Sequence, residues 1–75
     1  MDKSIYMYIL NSYDGRVIEE IRVSTLPREG ETLRLHNDKL IKFYEVVKIT
    51  WVYDDSEDFE RVNVSVDLID TVEVL

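Results

Sequence analysis

The sequence predicts an all-β domain, either a small barrel or a strongly curled antiparallel sheet of five to six strands. Three observations predict it. Apolar residues mostly alternate with polar ones, the period of a half-buried strand, and helical spacing is hard to find. The apolar set is dominated by β-branched and aromatic residues, which suit a pleated surface. Short clusters of turn-forming residues punctuate the apolar segments.

The elements follow in order. Residues 4–11 form the first strand, with Ile5, Met7 and Ile9 on one face and Tyr6, Tyr8 and Leu10 on the other. Asn11-Ser12-Tyr13-Asp14-Gly15 supplies a turn, and residues 16–23 return as the second strand of a hairpin. There Val17, Ile21 and Val23 share a face that Glu19 interrupts, with Ile18 opposite. Pro27 and Gly30 mark residues 24–31 as a loop, and residues 32–35 make a short strand ended by the turn His36-Asn37-Asp38-Lys39.

Residues 40–53 are the longest strand segment. Ile41, Phe43, Val47, Ile49, Trp51 and Tyr53 are in phase, Glu45 breaks the phase, and Tyr44, Val46 and Val52 lie opposite. A β-bulge near residues 45–47 would restore register and bend the strand, as a curling sheet requires. Residues 54–58 form an acidic hairpin tip. Residues 59–69 then alternate most cleanly, with Val62, Val64, Val66 and Leu68 inward. Asp70-Thr71 breaks the run, and Val72 and Val74 read as a short closing edge strand.

Leu26-Pro27-Arg28-Glu29-Gly30-Glu31-Thr32-Leu33, followed by Tyr44-Glu45-Val46-Val47-Lys48-Ile49, resembles small SH3-like barrel proteins of bacteria and their phages. The similarity covers residues 26–49, one turn and two strands. It implies an SH3-like barrel and a phage or bacterial context, and no functional residues.

Composition limits the chemistry. The 75 residues suit one domain, residues 1–75, with 45% hydrophobic and 33% charged residues in a globular balance. There is no cysteine, so disulfides and thiolate metal sites are excluded. The longest uncharged apolar run, residues 5–10, is too short to cross a bilayer, so a cytoplasmic location and no membrane partner are expected.

Charge is distributed unevenly. Residues 1–53 carry eight acids and eight bases. Residues 54–75 carry Asp54, Asp55, Glu57, Asp58, Glu60, Asp67, Asp70 and Glu73 against Arg61 alone, which accounts for the whole net charge of −7. Such a field repels nucleic acid and attracts basic proteins.

Catalytic patterns are missing. His36 is the single histidine, there is no nucleophile elbow, and no Gly-rich phosphate loop occurs. Phe59 stands where a calcium loop needs glycine, so an EF-hand is excluded. No enzyme activity, cofactor or metal is expected. The expected function is a non-catalytic protein-binding module with an acidic surface. One form of it is a phage or mobile-element inhibitor that mimics nucleic acid against a host defence protein. The binding residues would be Asp54, Asp55, Glu57, Asp58 and Glu60, with Tyr6 and Tyr8 as aromatic anchors standing outside the core. The alternative is a structural, self-assembling protein that forms a homo-oligomer through exposed tyrosines and edge strands.

Overall fold

The structure, a computed structural model, describes residues 4–53 and 60–74. Among them the regular elements are five strands: β1 (Ile5–Asn11), β2 (Val17–Val23), β3 (Thr32–Asn37), β4 (Leu40–Tyr53) and β5 (Glu60–Glu73). They form one sheet in the order β2-β1-β5-β4-β3. The sheet is mixed, not antiparallel throughout, because β1 pairs parallel with β5. The sheet is also open: β2 and β3 stand at its two ends and do not pair with each other.

The two 14-residue strands set the shape. At a rise of about 3.3 Å per residue each spans about 46 Å, which matches the 45 Å longest dimension. β1 covers only the first half of β5, from Arg61 to Val66. β3 covers only the first half of β4, from Leu40 to Glu45, which pairs with the second half of β5. The β1–β2 hairpin and β3 therefore flank opposite ends and opposite sides of a central β4–β5 ribbon.

Alternation fills the core. Met7, Ile9, Tyr44, Val46, Val62, Val64 and Val66 are buried, and Ile5, Ile18, Ile21, Val23, Leu26, Leu33, Leu35 and Ile49 pack against them. Cross-strand register explains the set: Met7 faces Val62 and Ile9 faces Val64 across β1–β5, while Val64 meets Ile49 and Val66 meets Val46 across β5–β4. The expected bulge in β4 is present between Val46 and Lys48. It puts Tyr44 and Val46 on the core face before the irregularity and Ile49 on it afterwards. The in-phase set Ile41, Phe43 and Val47 is therefore not the core set, and Trp51 and Tyr53 are exposed.

Two further irregularities depart from the sequence reading. In β2, Ile9 faces Glu19 and Leu10 faces Val17, so Ile18 is the extra residue. Ile18 packs on the core while Val17 is exposed. In β5, Tyr44 faces Leu68 and Phe43 faces Asp70, leaving Ile69 unopposed. A bulge there lets β5 continue through Asp70 and Thr71 to Glu73, so no separate sixth strand forms. Leu68 keeps the inward phase but is exposed, because β1 has ended at Asn11 and nothing lies beside it on that side.

The loop after β2 is fixed to the β4 bulge. The Gly30 amide donates to the Val46 carbonyl (2.8 Å) and the Val46 amide donates to the Glu31 carbonyl (2.9 Å). Gly30 holds φ at 90°, and a Cβ there would meet nothing within 4 Å. Glycine is needed for the backbone angle and not for space. Within the loop the Arg28 amide donates to the Glu31 carboxylate, and Leu26 closes over the core. The β3–β4 connection is a two-residue turn, Asp38-Lys39, in which Asp38 takes φ 52°.

Candidate interaction surface

Of the acids singled out in the sequence, Asp54, Asp55, Glu57 and Asp58 lie outside the described residues, as does the side chain of Glu60. The backbone of Glu60 opens β5 opposite Tyr53. The described part of the acidic third is Asp67, Asp70 and Glu73, all exposed on the second half of β5. Their register positions face Glu45, Phe43 and Leu40 of β4. Asp67 accepts a hydrogen bond from the Ser12 hydroxyl. Asp70 accepts one from the Thr71 amide at 2.8 Å. Among the described residues the one ion pair is Arg16–Asp14, at 3.7 Å between exposed side chains. Among the described residues no lysine or arginine forms an ion pair with any of the three β5 acids.

Tyr6 and Tyr8 sit where alternation puts them, on the face of β1 opposite the core, and are half-buried. The parallel pairing places arginines around them. Tyr6 lies between Arg22 of β2 and Arg61 of β5 in register. The Arg22 guanidinium lies 4.6 Å from the centre of the Tyr6 ring and donates to the Tyr6 hydroxyl. The Arg61 guanidinium lies 5.0 Å from the centre of the Tyr8 ring. Both tyrosine rings thus carry cations supplied by the chain. Sequence reasoning missed this cluster, because Arg61 reaches β1 only through a parallel pairing of strands about 55 positions apart. The one available signal was that Arg61 is the sole base of the last 22 residues.

No family model, curated protein or solved structure matches this chain.

His36 lies exposed on β3, opposite Ile41. No group of three or more His, Cys, Asp or Glu that could hold a metal ion occurs among the described residues. Among the described residues no helix is long and apolar enough to cross a membrane.

What distinguishes the surface is the way apolar and acidic groups share β5. Leu68, Ile69, Val72 and Val74 are 56%, 55%, 42% and 44% exposed, interleaved with Asp67, Asp70 and Glu73. Monomers commonly expose single apolar side chains, but four on one eight-residue stretch make a two-sided apolar strip. The strip lies where β1 has left β5, so its backbone edge has a partner only on the β4 side.

Proposed function

We propose that this chain is a non-catalytic protein-binding module whose partner presents a basic surface. The observation that carries the reading is the state of Asp67, Asp70 and Glu73. They belong to the segment that holds all the surplus negative charge, they are exposed, and no base of the chain pairs with them among the described residues. Unpaired carboxylates beside exposed apolar side chains offer a partner both long-range attraction and burial.

The partner class we favour is a protein whose basic groove ordinarily holds nucleic acid, for instance a host defence nuclease blocked by a phage or mobile-element protein. Charge density decides which residues such mimicry needs. Asp67, Asp70 and Glu73 recur every three residues, about 10 Å apart at the strand rise, against about 3.4 Å per phosphate on one DNA strand. They are about threefold too sparse alone. Mimicry therefore depends on Asp54, Asp55, Glu57, Asp58 and Glu60, with the β5 acids extending the field.

The test is capture from cell lysate at low salt with three proteins: the native chain, D67N/D70N/E73Q, and D54N/D55N/E57Q/D58N/E60Q. Captured proteins should be basic, should elute as salt rises, and should be reduced with both variants. Retention of the same set by both variants would overturn the acidic reading. Loss with the β5 variant alone would overturn mimicry and leave protein binding standing.

A further inference from the structure

We infer that residues 67–74, the second half of β5 and the residue after it, take up an extended basic segment of the partner protein as an added strand. This rests on the protein-binding reading above and names its mode.

In a strand, the N–H and C=O of one residue point to the same side, and successive residues alternate. The Val66 carbonyl accepts from the Ser12 amide (3.0 Å), so Val66 faces β1 and Asp67 faces β4. Leu68 then faces away from β4, at a position β1 no longer covers. From the other end, the Val74 amide donates to the Lys39 carbonyl (2.7 Å), so Val74 and Val72 face β4. Glu73 and Thr71 face away from it. The Ile69 bulge joins the two phases. Leu68, Thr71 and Glu73 thus present main-chain groups along an edge that no described strand pairs with.

The Thr71 amide gives independent support. It donates to the carboxylate of its own neighbour Asp70, not to β4. A main-chain donor satisfied by an adjacent side chain exchanges that bond readily for a strand partner, because the carboxylate swings out on one side chain. Exposed strand edges are templates for pairing, and a row of unpaired main-chain groups flanked by apolar side chains is what strand addition uses.

Charge selects the occupant. The stretch carries three acids and no base. A second copy pairing edge to edge would bring six carboxylates into one short ladder, many within a Debye length of about 8 Å, and like charges across a ladder are unfavourable. Lys42, opposite Thr71, lies on β4, across β5 from the free edge, and makes no ion pair with the β5 acids among the described residues. An incoming segment with lysine or arginine among β-branched residues meets Asp67, Asp70 and Glu73 with opposite charge. It also covers Leu68, Ile69, Val72 and Val74 on the two faces. The acids both reject the chain's own edge and attract a basic one.

The probe is a capped eight-residue peptide alternating lysine with valine or threonine, titrated into the isotopically labelled full chain at low salt. The expected result is shifts centred on residues 67–74, with amide exchange at Leu68, Thr71 and Glu73 slowed about tenfold or more at saturation. A second peptide, methylated on alternate backbone nitrogens, keeps charge and side chains but cannot form the ladder. It should bind about tenfold more weakly or worse. Equal binding of the two peptides, or shifts without slowed exchange, would overturn strand addition and leave acidic recognition standing. Equal binding of the unmethylated peptide to D67N/D70N/E73Q would overturn the acidic reading instead. Shifts confined to β2 or β3 would overturn the choice of edge.

Discussion

Replacing Ile9 by alanine tests the core where β1, β5 and β4 meet. Ile9 is fully buried, lies opposite Val64 and belongs to the one buried cluster. The change removes three methyl or methylene groups, worth about 2.4 kcal/mol at about 0.8 kcal/mol each. A sheet held by neighbours on both sides collapses only partly into the gap, so the cavity raises the cost to about 3–4 kcal/mol. A 75-residue domain has a total stability of about 4–11 kcal/mol on the usual per-residue scale. The variant should therefore lose roughly a third or more of its stability. Leu68 is the paired control. It shares the inward phase of Val62, Val64 and Val66 but is 56% exposed, so Leu68→Ala should cost less than about 1 kcal/mol. Urea unfolding followed by tryptophan fluorescence reads both changes, as a shift of midpoint at unchanged slope. Ile9→Ala costing under about 1 kcal/mol, or Leu68→Ala costing as much as Ile9→Ala, would refute the assignment of the core and of the uncovered half of β5.

The remaining predictions concern turns and surface. Gly30→Ala should destabilise by about 1–2 kcal/mol in the same assay, purely through the φ of 90°, since a Cβ meets nothing there. Asp38→Gly should raise thermal stability by up to about 1 kcal/mol, because φ 52° suits glycine better than aspartate. A double-mutant cycle of Arg61→Gln with Tyr8→Leu should show about 0.5–1 kcal/mol of coupling from the cation–ring contact, measured by urea unfolding. D67N/D70N/E73Q should change stability by no more than about 0.5 kcal/mol by the same assay, so any loss of partner is a loss of contact and not of fold.

Much of the fold was legible because strand alternation is a local property. Ile5, Met7 and Ile9, and Val62, Val64 and Val66, announce their faces without reference to any other strand. The β4 bulge was legible because Glu45 sits in the middle of an otherwise apolar phase. The bulges at Ile18 and Ile69 left similar marks, Glu19 in the phase of Val17, Ile21 and Val23 and Asp70 in the phase of Val62 to Leu68, but an interrupted short strand and a strand end account for such marks equally well. The parallel pairing of β1 with β5 was invisible for a different reason. It depends on which distant strands share a ladder, and the two compatible faces match equally well in either direction. That pairing decides where the free edge lies and brings Arg61 to Tyr8, so the surface was less legible than the core. The charge segregation was read directly, but not its division between a hairpin tip and a half-covered strand.

The central strand β5 loses its β1 neighbour beyond Val66. Residue-resolved amide hydrogen exchange of the isolated chain measures this directly. Asp67, Val72 and Val74, which face β4, should be protected, while Leu68 and Glu73, which face the edge, should exchange quickly, an alternation within one strand. Uniform protection from residue 67 to residue 74 would mean that the edge is already covered, by barrel closure or by a second copy. It would contradict both the open sheet and the binding mode built on it.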